Sequence, residues 1–154
     1  KEGIDETIFM PLVILHDAGY SQVKDPKDNP LKIDMRKAHM KAGAELSEKI
    51  LTSVNYDPEK IKKISYYVSV HDNWAFDDNE VYLKDSLLGA FQDLDFMWMS
   101  SPKGFSACIK IHQKTPKEML DYIVNNDKLT KRPFATKTTK ELFEKYIVDR
   151  KKEI

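Results

Sequence analysis

One cysteine, five glycines and two tryptophans are all that this 154-residue chain contains of those residue types, and each shortage excludes something. A lone Cys108 cannot form an internal disulfide, so a reducing compartment, the cytoplasm, is the expected setting. So few glycines leave no glycine-rich phosphate loop and no dinucleotide fingerprint. Neither sign of charge is in excess, because 25 Lys and Arg balance 25 Asp and Glu. There is therefore no global field to hold a nucleic acid polymer or an anionic membrane, although a local basic cluster could still bind a small anion. No apolar run approaches the roughly 20 residues needed to span a bilayer. The chain opens on Lys1 and enters a helical pattern within a few residues, which leads us to expect further sequence upstream.

What is present is enough for a core. Hydrophobic residues make up 41% of the chain and are spread along its length, and the length suits a single domain over 1–154. A first helix is expected from about Asp5 or Thr7 to Asp17, with Phe9, Val13 and His16 on one face and Gly19 as its stop. Residues 20–34, with two prolines and no sustained period, read as a long loop. A second helix is expected over 35–53, with His39, Ala42, Leu46 and Ile50 inward. Asp57 and Pro58 open a third helix, which carries Ile61, Ile64, Val68 and His71 at spacings of 3, 4 and 3.

The segment HDNWAFDDNEVY reads as a loop before a fourth helix over 83–100, with Leu88, Phe91, Asp95 and Trp98 on its apolar stripe and Asp93 off it. CIKIH fits either a short strand or a helical turn. Thr115 with Glu118, and Thr138 with Glu141, have capping-box spacing and start two C-terminal helices, joined by the polar connector LTKRPFATK. In the last helix Leu142, Phe143, Tyr146 and Ile147 point inward. The expected architecture is all-α, with about six helices.

Three of the four histidines fall on apolar helical faces, one of them beside Asp17, while a later helix offers Asp95. Imidazoles and carboxylates are costly to bury alone, and gathering them on buried faces suggests a metal. His112 lies on no such stripe. Ser86, Ser100 and Cys108 lack a nucleophile-elbow context or a neighbouring base, so covalent catalysis is not expected.

The order of these residues carries a resemblance. His16-Asp17 ending an apolar helix, HMKAGA at His39, VSVHDN at His71 and QDLDFMW at Asp95 together resemble the HD-domain metal-dependent phosphohydrolases over about residues 5–100. The resemblance implies an HD-like helical bundle with its metal-site core in that range and a C-terminal helical extension over about 115–154. It implies that His16, Asp17 and Asp95 are metal ligands, and that His39 and His71 ligate a second metal or contact the substrate phosphate. Asp95 is preferred to Asp93 because it lies on the apolar stripe and resembles the family's final aspartate, although Leu94 and Phe96 replace that aspartate's usual neighbours. The family's first histidine has no counterpart here and is expected upstream. The glutamate of the nucleoside monophosphatase branch is also missing after Ala18-Gly19-Tyr20.

The chemistry implied is attack on phosphorus by a metal-activated water, with either Asp17 or Asp95 also able to accept its proton. Imidazole with carboxylate suits Mn, Fe, Co or Zn better than Mg, as one or two ions. Lys41, near His39, and Lys103, in the SPKG turn, are candidate cations for the phosphoryl oxygens, with Arg36 behind them. Trp74 and Phe76 could stack on a base or wall the pocket. The expected substrate is a small phosphoester such as a nucleotide, with no nucleic acid polymer or membrane as partner; a homo-oligomer is compatible with the C-terminal helices. Two other readings compete. One is a di-iron oxygenase of the same fold, and the other is a non-catalytic HD-like binding or regulatory module.

Overall fold

The computed structural model describes residues 3–23 and 33–154. All regular structure among them is helical, as expected. No helix among them is long and apolar enough to cross a membrane. The chain divides into two compact units, Gly3–Val81 and Tyr82–Ile154, where the sequence led us to expect one domain with a core over 5–100.

In the first unit, α1 (Glu6–Leu15) starts at Asp5, whose carboxylate accepts the Thr7 amide at 3.0 Å. Pro11 sits inside this helix. It has no N–H to offer the carbonyl of Thr7 four residues back, and the Tyr56 hydroxyl donates to that carbonyl at 2.6 Å instead. A 3₁₀ turn (Ala18–Ser21) follows and packs on α2 (Ile33–Ser53). Asp57 caps α3 (Pro58–Val70) by accepting the Glu59 and Lys60 amides, with Pro58 at the first turn. α3 packs on both α1 and α2. A second 3₁₀ turn (Asn73–Phe76) and the short α4 (Glu80–Lys84) lead across the boundary. The long loop expected over 20–34 thus begins as a helical turn, and its residues 24–32 lie outside the described residues.

In the second unit, α5 (Ser86–Trp98), α6 (Pro102–Ile111), α7 (Pro116–Val124), the short α8 (Lys128–Lys131) and α9 (Lys137–Glu153) enclose a core. That core includes Phe96, Phe105, Cys108, Met119, Ile123, Phe143 and Ile147, with Leu142 and Tyr146 partly buried against it. CIKIH is therefore helix. The capping box of Thr115 and Glu118 is present as expected. The last helix instead starts two residues earlier than expected, because Thr136, not Thr138, is its cap and accepts the Thr139 amide.

Three apolar stripes are displaced from their expected registers. α1 buries Ile8, Leu12 and Leu15 rather than Phe9 and Val13. α2 buries His39, Met40, Gly43, Ser47 and Leu51, leaving Ile50 exposed. In α5 the expected inward Trp98 is 48% exposed, and Asp93, expected off the stripe, is 1% exposed. A carboxylate can occupy that position because its charge is met. Lys128 Nζ donates to Asp93 Oδ1, while the Ala135 amide and the Thr139 hydroxyl donate to Oδ2 at 2.7 and 2.9 Å. Asp93 therefore ties α5 to α8 and to the start of α9. Hydrophobicity alone cannot place such a residue inward.

Candidate metal centre

A close backbone approach sets the position of the His16-Asp17 pair. A Cβ on Gly19 would lie 1.9 Å from the His39 carbonyl oxygen and 2.5 Å from the Gly43 nitrogen. Only glycine lets the 3₁₀ turn sit against α2 at this depth. Gly43 in turn lies under Val68 of α3, where a Cβ would meet the Val68 side chain at 3.0 Å. The two small residues bring the end of α1, the middle of α2 and the end of α3 to one point.

Three imidazoles meet there. His16 Nδ1 is 2.9 Å from the Val13 carbonyl, His39 Nδ1 3.2 Å from that of Met35, and His71 Nδ1 2.7 Å from that of Val68. A carbonyl can only accept, so each Nδ1 carries the proton, and in the neutral form of such a ring Nε2 presents a lone pair. The Nε2 atoms converge on Asp17. Its Oδ1 is 3.5 Å from both His39 and His71 Nε2, and its Oδ2 is 3.4 Å from His16 Nε2. His39 and His71 are buried, whereas the Asp17 side chain is 58% exposed.

Asp17, His39 and His71 form a group of ligand atoms compact enough to hold a metal ion. The spacing agrees with that use: two ligands about 2.1 Å from a common centre lie about 3.0 Å apart at a right angle and about 3.4 Å apart at the tetrahedral angle. The Nε2 atoms of His39 and His71 are 3.1 Å apart. Fixing each ligand ring through Nδ1–H to a backbone carbonyl is also how metal-binding histidines are oriented.

A ring of further side chains surrounds the group. Tyr20 stacks flat on His39, with 3.9 Å between ring centroids. Asp72 is buried; Arg36 donates to its Oδ2, Trp74 Nε1 donates to its Oδ1 at 2.9 Å, and Arg36 lies over the Trp74 ring. Sequence reasoning gave no role to Asp72 or Tyr20. The one legible signal was that His71-Asp72 repeats the His16-Asp17 dipeptide.

Lys41 is exposed on α2 and lines a cleft of about 490 Å³ with Lys37, Met40, Asn73 and Phe76. Lys37 sits over the Phe76 ring in that cleft. Asp95 and Lys103 belong to the second unit, and the compact ligand group draws on the first unit alone. Asp95 is half-buried on α5, and Lys103 is exposed in the first turn of α6. The stripe argument that favoured Asp95 over Asp93 does not hold, since Asp93 is the inward residue. Asp93 is itself fully engaged in the structural cluster around Lys128. Compared with family models, with curated proteins and with solved structures, the chain gives no match.

Proposed function

We propose that this chain is a metal-dependent phosphohydrolase of the HD-domain type, acting on a small phosphoester, with nucleotides the first class to test. The observation that carries this reading is the convergence of three Nε2 lone pairs, each fixed by an Nδ1–H bond, on the Asp17 carboxylate. His39, His71 and Asp17 would hold the ion, with His16 on the far carboxylate oxygen. Imidazole-rich ligands favour Mn²⁺, Fe²⁺, Co²⁺ or Zn²⁺.

Such an ion supplies a Lewis acid and lowers the pKa of water enough to give a nucleophile at neutral pH. The remaining work falls to the chain itself. The backbone carbonyls of Val13, Met35 and Val68 keep the imidazoles in the ligating tautomer. Asp17 balances part of the positive charge and can take a proton at Oδ2. Lys41, exposed on the same helix as His39, is the candidate cation to oppose negative charge on a phosphoryl group, since Arg36 is engaged by Asp72. Water adds to phosphorus as the ester oxygen leaves, giving inorganic phosphate and an alcohol. The reading draws on neither Asp95 nor Lys103. A free, buried Cys108 suits a reducing compartment such as the cytoplasm.

Elemental analysis of the purified protein and of His71→Ala, followed by an anaerobic phosphoester screen, tests the proposal. About one or two equivalents of a transition metal, lost in the variant, together with phosphate release without O₂, are the expected results. Failure of the folded protein to take up Mn²⁺, Fe²⁺ or Zn²⁺ on reconstitution would overturn it.

A further inference from the structure

Beside the three-residue ligand group lies a buried ion pair that the centre does not use for ligation. Asp72 Oδ2 is 3.8 Å from His39 Nε2, with the Asp72 side chain 7% exposed. Both carboxylate oxygens are already engaged, Oδ2 by Arg36 and Oδ1 by the Trp74 indole. The Asp72 amide is also fixed, donating to Met40 Sδ at 3.3 Å. The carboxylate is thus a fixed negative charge at the edge of the centre, outside the compact set of Asp17, His39 and His71. The Arg36 guanidinium has its own position fixed by the face of Trp74, 4.7 Å from the ring centroid.

From this geometry we infer that the Arg36–Asp72 pair sets the cation affinity of the centre: Asp72 contributes an attractive charge beside His39, and Arg36 cancels it. The inference rests on the metal-centre reading above. A charge a few ångströms from a bound cation, on a side chain as buried as that of Asp72, acts more strongly than it would in water. With the pair intact, its two charges nearly cancel at the site. Removing either partner unbalances them, and the two removals act in opposite directions. A pair that served only to staple α2 to the turn after α3 would give losses of the same sign, because either removal would loosen the same contact. Arg36 is therefore a positioning residue that acts through Asp72, and it limits how tightly the cation is held.

The test is titration of the full, chelator-stripped chain with Mn²⁺ alone, followed by calorimetry. Arg36→Gln, which keeps a hydrogen-bond donor and loses the charge, should bind Mn²⁺ roughly tenfold or more tighter than wild type. Asp72→Asn should bind it weaker by a similar factor. Arg36→Lys keeps the charge and should stay near wild type, and the double variant Arg36→Gln/Asp72→Asn should return toward it. Should Arg36→Gln not fold, Asp72→Asn against Arg36→Lys still decides the matter, since only the former should weaken binding. Shifts of the same sign in Arg36→Gln and Asp72→Asn, or no shift in a folded Asp72→Asn, would overturn the inference while leaving the metal centre standing. A wild-type chain that binds no Mn²⁺ would overturn the metal reading and this inference with it.

Discussion

His39 and His71 face one another with their Nε2 atoms 3.1 Å apart, while each Nδ1 is committed to a backbone carbonyl. Two neutral rings in this arrangement point lone pair at lone pair, an unfavourable contact in a buried site. Anything positive that sits against both relieves it, so a cation bound there should stabilise the native state.

The consequence is measurable as linkage. At a free Mn²⁺ or Zn²⁺ concentration 100 times the dissociation constant, stabilisation should reach about 2.7 kcal/mol. For a chain of this size that is a rise of roughly 5–10 °C in the melting temperature. His71→Ala should melt at the same temperature with and without the metal. Equal rises in both proteins would show the metal acting away from this group.

Gly19 is the residue that lets Asp17 reach the imidazoles. A methyl group there would overlap the His39 carbonyl and the Gly43 amide, both backbone atoms that cannot swing aside. Gly19→Ala should destabilise the protein by about 1–3 kcal/mol and weaken metal binding. Gly3→Ala supplies a surface comparison, since a Cβ there meets nothing within 4 Å, although its φ of +65° adds a small strain of its own. Chemical denaturation with metal titration of both variants checks the difference.

How much of this was legible in the sequence can be judged residue by residue. The α3 stripe of Ile61, Ile64 and Val68 was read correctly because every member is apolar and buried. His39 and His71 were singled out because their spacing put them on buried faces, and both are buried. The α2 face was misread because its inner positions are Gly43 and Ser47, which a hydrophobic count passes over; they are small because the 3₁₀ turn and Val68 come so close. Asp93 was misread because the partner that makes its burial affordable, Lys128, lies 35 positions away in sequence. The Arg36–Asp72 pair, 36 apart, was out of reach for the same reason.

Cys108 offers a pH test with a definite sign. Burial, with the charge of Asp95 adding to it, pushes its thiol up from 9.0 to about 11. Below pH 9 the thiol is protonated in both folded and unfolded chains and stability is unaffected. Between the two values the unfolded chain releases its proton and the folded one does not, so stability falls as pH rises. The full loss, on the order of 2–3 kcal/mol, is reached above the folded value. Denaturation of wild type and Cys108→Ala at pH 8 and pH 10.5 isolates this component from the lysine titrations common to both. Wild type should lose more stability between the two pH values than the variant. An equal loss would mean that the thiol ionises as readily in the folded protein as in the unfolded one.

Asp93 and Lys128 make the sharpest stability prediction. Lys128 is 0% exposed, with its Nζ 3.8 Å from the centroid of Phe134 and bonded to Asp93. Burial lowers the affinity of its amine for a proton, and Asp93 opposes that shift. Removing the carboxylate alone strands a buried ammonium together with the Ala135 amide and the Thr139 hydroxyl, so Asp93→Ala should cost about 3–5 kcal/mol. Lys128→Met alone leaves Asp93 two of its three donors and should cost less. Replacing both, as Asp93→Asn with Lys128→Met, removes both charges while keeping an acceptor for Ala135 and Thr139. It should recover most of what Asp93→Ala loses, because the desolvation of two ions disappears along with their attraction. Urea denaturation of the three variants measures the differences. A double variant no more stable than Asp93→Ala would mean that the ion pair itself, rather than relief from an unpaired charge, holds α5 to α8 and α9.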